Sequence, residues 1–80
     1  MRQFRRVLVP RKAHPLVRQL FVEMNRERIG LSDVAERAGV AITTFKGWRT
    51  RHTPRVADLE ACYNVLGLTL TVAKVKDERG

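Results

Sequence analysis

The stretch from Leu31 to Thr50 leaves the chain little freedom. Its apolar and polar residues fit two short helices joined by one tight turn. Ser32 can cap the first of these by accepting hydrogen bonds from its free N–H groups, and Asp33 suits the positive end of a helix. Gly39 stands where the turn needs a positive φ, with the apolar Val40 directly after it. In the second helix Phe45 and Trp48, three residues apart, share an inner face, while the opposite face is polar. The expected spans are about 33–38 and 42–49.

Two more helices flank this unit. His14-Pro15 reads as a helix start, because proline at the first helical position loses an N–H that would be unpaired anyway. From Leu16 to about Arg28, Val17, Leu20, Phe21 and Met24 recur at helical spacing, and Gly30 is expected to end that helix. Thr53-Pro54 repeats the start signal for a helix from Pro54 to about Val65. Leu59, Cys62, Tyr63 and Leu66 form its inner stripe, and Gly67 closes it. Outside the helices, Phe4 and Val7-Leu8-Val9 suggest a short strand over about 4–9, with a flexible basic arm as the alternative. Leu68-Thr69-Leu70-Thr71-Val72 alternates with period two, predicting a half-buried strand over about 68–76 before the charged end Asp77-Glu78-Arg79-Gly80.

Eighty residues make one small domain over 1–80, with its core in 14–68. Sixteen Lys plus Arg against eight Asp plus Glu give a net charge of +8, with a pI near 11.1. A small basic domain expects a polyanion, and charge alone leaves DNA, RNA and an acidic membrane surface open. No apolar run approaches membrane-spanning length, and Pro10 cuts the only apolar run near the N-terminus, so neither a membrane span nor a signal peptide is expected. The single cysteine, Cys62, cannot form an intrachain disulfide, and no Cys/His set has zinc-ligand spacing. The simple reading is a cytoplasmic protein without metal or cofactor.

The spacing of Ala35, Gly39, Val40, Phe45 and Trp48 resembles the twenty-residue signature of helix-turn-helix regulators. With a further helix on each side, residues 14–68 resemble the phage-repressor, or Xre, family. That resemblance implies a mainly α, four- to five-helix Cro-type helix-turn-helix domain. Short terminal β-strands would be added to it. It also implies a small Ala35 where the two central helices cross, with Val34, Val40, Phe45 and Trp48 facing the outer helices. The implied function is sequence-specific binding of double-stranded DNA by a transcriptional regulator, most simply a repressor or autorepressor. It would act by occupying a promoter, without catalysis, and activation by touching polymerase is equally compatible with the sequence.

On the same resemblance, the second helix of the unit lies in the major groove and presents Ile42, Thr43, Lys46 and Gly47 to the bases. Thr43 can hydrogen-bond a base edge, Ile42 can pack on a thymine methyl, and Lys46 can reach guanine acceptors or a phosphate. Phosphate contacts are expected from Ser32, Thr44, Arg49, Arg51, His52 and Arg55. From Ala38 to Ala57 the chain carries no acid at all. The chain departs from the family in three ways. None of the base-facing residues is a bidentate reader, which shifts weight toward DNA shape. Ala41 replaces the usual Ser or Thr cap, a loss that typically costs ~1 kcal/mol. Gly47 sits inside a helix, where glycine costs ~1 kcal/mol against alanine. It is either a tolerated exposed position or a device that lets the helix sit closer to the bases.

Plainer roles suit the remaining residues. At their register Phe45 and Trp48 are core rather than stacking platforms, Tyr63 is a core-edge residue, and Cys62 is a small buried hydrophobe. Glu23 and Glu27 are surface charges that can pair with Arg26 or Arg28. No catalytic constellation is present, and no Gly-rich phosphate loop. The four helices plus one alternating strand also resemble the antitoxin repressors of toxin–antitoxin pairs, whose terminal strand helps build a dimer. That implies a homodimer through Leu68, Leu70 and Val72, with the 4–9 segment, a second subunit or another protein's edge as the strand's partner. Two rival classes stay open. One is an interaction module for a toxin or RNA polymerase, and the other a non-specific architectural nucleic-acid binder.

Overall fold

The structure, a computed structural model, describes residues 4–75. Arg2, Lys76 and the charged end 77–80 lie outside the described residues. Four helices follow one another: α1 Pro15–Glu27, α2 Leu31–Ala38, α3 Ile42–Gly47 and α4 Val56–Val65. α2 packs against both α4 and α3, and α1 packs against α4. Among the described residues no helix is long and apolar enough to cross a membrane.

The core is the one the stripes predict. Val17, Leu20, Phe21 and Met24 of α1 meet Val34 and Ala35 of α2, Val40, Phe45 and Trp48 from the central unit, and Leu59, Cys62, Tyr63 and Leu66 from the α4 region. Phe45 is the hinge of this packing. Its ring meets Phe21 edge-on at 5.7 Å and stacks on Trp48 at 5.0 Å. Each such ring contributes ~1.5–3 kcal/mol by leaving water, and aromatic pairing adds ~0.5–1.5 kcal/mol. α3 has only six residues and no capping side chain, so it could not stand alone; this burial holds it. At the far edge the Tyr63 hydroxyl donates a 2.6 Å hydrogen bond to the Leu16 carbonyl and ties α4 to the start of α1.

The helix boundaries follow simple chemistry, with three corrections. His14 caps α1, its Nδ1 accepting from the Leu16 N–H at 3.1 Å, with Pro15 next in line. Gly39 takes φ 75° and Gly67 φ 77°, as their turns require. At Gly39 the N–H groups of Gly39 and Val40 turn back onto the Glu36 and Ala35 carbonyls. The first correction is that Gly30 does not close α1. Arg28 does, with φ 58°, a left-handed conformation that costs a non-glycine residue ~1–2 kcal/mol. Its guanidinium lies over the Phe4 ring, 5.5 Å from the centroid, which offsets part of that cost. The second is that Ser32 does not cap α2. The helix starts one residue earlier, at Leu31, which packs partly against the core, and Gly30 takes the cap position without a side-chain bond. The third is that Thr53 does not cap α4, since the chain stays extended through Arg55, whose side chain caps nothing.

The terminal strands expected over 4–9 and 68–76 are also corrected: the described residues contain none. A strand exists only in a ladder, and among the described residues neither segment is paired in one; the one backbone bond there, from the Leu68 N–H to the Tyr63 carbonyl at 2.9 Å, belongs to the end of α4. The first segment is instead docked by one side chain. The Asn25 amide accepts from the Val7 N–H at 2.7 Å and donates to the Val7 carbonyl at 2.8 Å, imitating one rung of a sheet. Val7, Val9 and Ala13 then pack against the core, so the arm is not loose either. In the second segment Leu70 alone packs partly on the core. Leu68 is exposed, and Val72 is 97% exposed.

Candidate nucleic-acid interface

Burial of Phe45 and Trp48 decides which way α3 presents its other side. With those two inward, Thr43, Thr44 and Lys46 are exposed. Ile42 is not: it packs partly against the core, so it sits on the shoulder of the helix and offers less apolar surface outward. The outward row therefore reads Thr43, Lys46 and Thr50, with Gly47 partly covered.

Gly47 is covered by the chain that follows it. After α3 the backbone coils into a tight turn in which the N–H groups of Thr50, Arg51 and His52 all donate to the Gly47 carbonyl, at 3.2, 3.1 and 3.1 Å. This turn folds the His52 imidazole over the Gly47 α-carbon; its Cδ2 lies 3.0 Å from where a side chain's first carbon would stand. The bare helix surface at Gly47 is thus occupied by the protein itself. Of the two sequence readings of Gly47, the packing favours neither open exposure nor close approach of the helix, but room for His52.

The same turn gathers the other candidate residues. Thr43, Thr44, His52 and Arg55 line one open groove between α3 and the start of α4, floored by Trp48. Asp58 also lines it and places a negative charge there. Arg49 lies on the other side, its Nε donating to the Lys46 carbonyl at 3.5 Å, and Arg51 is exposed on the turn. Ser32 stands apart at the start of α2, beside Arg5 and Arg6 of the arm. The predicted phosphate contacts are therefore dispersed: Thr44, His52 and Arg55 line the α3–α4 groove, Ser32 stands at the α2 start, and Arg49 and Arg51 lie outside both. The dimer residues Leu68, Leu70 and Val72 belong to neither.

Sequence reasoning missed Asp58, which lies one residue past the acid-free stretch and enters the groove through the turn of α4. It also missed Arg11 and Lys12, which line a depression with Arg49 and Thr50. Their signal was the basic run at the N-terminus, but nothing local said where that run would dock. None of these cations is ion-paired: among the described residues the one ion pair is Arg26 with Glu23, at 3.3 Å.

Cys62 is fully buried and its thiol is pushed up to about 11, mainly by burial and then by the charge of Asp58. A thiol held protonated is a poor nucleophile. Tyr63 is shifted upward by burial and then by Glu23. Among the described residues no three His, Cys, Asp or Glu side chains gather closely enough to hold a metal ion. No known protein family, curated protein or solved structure matches this chain.

Proposed function

We propose that the chain is a sequence-specific double-stranded DNA-binding regulator of transcription, most simply a dimeric repressor or autorepressor of the helix-turn-helix, Xre-like type. One observation carries the reading. A short helix is anchored from beneath by Phe45 and Trp48, turns Thr43 and Lys46 outward, and is bordered by Arg49, Arg51, His52 and Arg55 with no ion pair among them. Such a helix fits the major groove, where Thr43 and Lys46 reach base edges and the bordering cations, with Thr44 and Ser32, hold the phosphates. Two copies joined through Leu68, Leu70 and Val72 double the contact surface and read half-sites ~34 Å apart. Val72 stands almost wholly in solvent, as a residue awaiting such a partner would.

Selection of bound sequences from a random duplex pool at physiological salt tests this. A symmetric motif bound ~10³-fold or more above random DNA supports the regulator. A specificity ratio near one removes it and leaves the second reading, an architectural binder that follows duplex shape. That reading draws on the half-buried Ile42 and on the lack of any bidentate side chain in the outward row.

A further inference from the structure

We infer that the N-terminal arm joins the same interface, with Arg11 and Lys12 gripping DNA phosphate alongside Arg49. This rests on the DNA-binding reading above and extends it to residues outside the helix-turn-helix unit. The geometry is specific. The arm's turn at Arg11–Lys12 is pinned from both sides, since Val9 before it and Ala13 after it pack against the core. Farther back, the Asn25 amide holds both polar groups of the Val7 backbone. Just beyond Ala13, His14 caps α1. The turn therefore has a fixed address, and that address is the end of α3: Arg11, Lys12, Arg49 and Thr50 line one depression.

Three basic residues, Arg11, Lys12 and Arg49, line this depression with Leu8, Val9, Pro10 and Thr50 and no acid, and like charges gathered on one face repel. A row of phosphates removes that repulsion, and gains from counterions released as the cations dock. The other end of the arm differs. Arg5 and Arg6 lie at the start of α2, in a depression that Arg28 and the acidic Asp33 also line. The arm's two ends thus make a built-in comparison: equal charge on one segment, but only the Arg11–Lys12 end stands in an acid-free setting. Asn25 acts as a positioning residue that fixes where the turn lies.

The test is the salt dependence of binding of the full chain to its selected duplex, measured by fluorescence anisotropy. Arg11→Ala with Lys12→Ala is expected to lower the slope of log affinity against log salt by about two, equally on selected and random duplexes. Arg5→Ala with Arg6→Ala, which removes the same charge, is expected to lower it by less than one. Asn25→Ala, with helical circular dichroism unchanged, is expected to weaken binding severalfold. An unchanged slope in the Arg11/Lys12 variant overturns the inference. So does an equal loss in the Arg5/Arg6 variant, which would trace the effect to net charge, or full affinity in Asn25→Ala. A wild-type chain that binds no duplex overturns the parent reading as well, a failure distinct from an intact chain whose slope ignores Arg11 and Lys12.

Discussion

His52 and Gly47 occupy one another's space: the imidazole Cδ2 sits 3.0 Å from the point where a Gly47 side chain would begin, and the His52 N–H donates to the Gly47 carbonyl at 3.1 Å. A side chain at Gly47 would require the His52 ring to give way by a few tenths of an ångström, and the loop that carries His52 also carries Arg51, both candidate phosphate contacts. A residue that looks like a flaw in the recognition helix is thereby linked to the placement of the charges beyond it.

The two positions should therefore be coupled. Gly47→Ala gains up to ~1 kcal/mol of helix propensity but must push the imidazole aside. With His52→Ala in place, that gain should appear in full. In the native background it should be smaller by at least ~0.5 kcal/mol, a non-additivity expected of residues in contact. Urea unfolding of the two single variants and the double variant measures it. Additive effects would mean that the ring and the α-carbon do not share space in solution.

Alkaline pH should destabilise the fold through Cys62. Its thiol ordinarily loses its proton near 9.0, and burial holds the folded one to about 11. Between those values the unfolded chain has released a proton that the folded chain still keeps, so rising pH favours unfolding. The contribution is fully present below about 9 and disappears toward about 11. Tyr63 acts in the same direction, because its folded phenol is also shifted upward from 10.0. The urea midpoint should fall between pH 8 and pH 10.5, and Cys62→Ala should flatten that fall. At pH 8 the native thiol should resist a disulfide reagent and react at once in denaturant; rapid modification of the native chain would contradict its burial.

The anchor beneath α3 should be costly to remove. Phe45 is fully buried between Phe21 and Trp48, and truncating such a ring costs ~3–5 kcal/mol. A domain of this size has a total stability on the order of 4–12 kcal/mol. Phe45→Ala should therefore unfold a substantial part of the population or lower the melting temperature by well over 10 °C, with loss of the Trp48 near-ultraviolet signal. A change below 1 kcal/mol would mean that α3 does not depend on this packing.

What the sequence discloses and what it conceals divide along the range of the interactions. The stripes Val17-Leu20-Phe21-Met24 and Leu59-Cys62-Tyr63-Leu66 need only a 3.6-residue period, a local property, and the fold buries every one of them. Gly39 and Gly67 were readable because positive φ has a residue signature; Arg28, with φ 58°, carries none. Ser32 and Thr53 look like caps in isolation, but the drive to bury Leu31 moved one helix start, and an extended Pro54–Arg55 moved the other. Alternation over 68–72 is also local, whereas a ladder needs a distant partner, and the described residues provide none. In the candidate site the outward Thr43 and Lys46 followed from the inward Phe45 and Trp48. The half-burial of Ile42, the His52 fold-back, the entry of Asp58 and the docking of Arg11 and Lys12 depend on tertiary packing and had no local mark.

The tail offers a clean separation of fold from assembly. Only Leu70 among Leu68, Leu70 and Val72 packs on the core, so a chain ending after Gly67 should keep its four helices and lose little stability. If those side chains join two copies, the shortened chain should be monomeric by light scattering at concentrations where the full chain is a dimer. A shortened chain that stays dimeric would remove the tail from the interface.

The last expectation separates reading from holding. Thr43 and Lys46 both stand on the exposed side of α3, but their chemistry differs. A threonine hydroxyl can meet a base edge, so Thr43→Ala should relax preference at one or two positions of the selected site, by ~1–3 kcal/mol at most, and leave affinity for random DNA alone. Lys46 has three donors on a flexible stem and reaches either a guanine or a phosphate. If it holds phosphate, Lys46→Ala should weaken binding to every duplex alike and lower the salt slope by about one. If it reads guanine, the loss should concentrate on one base pair. Repeating the selection with each variant distinguishes these outcomes. A pair of variants with unaltered sequence preference and unaltered salt slope would mean that the outer face of α3 does not touch DNA.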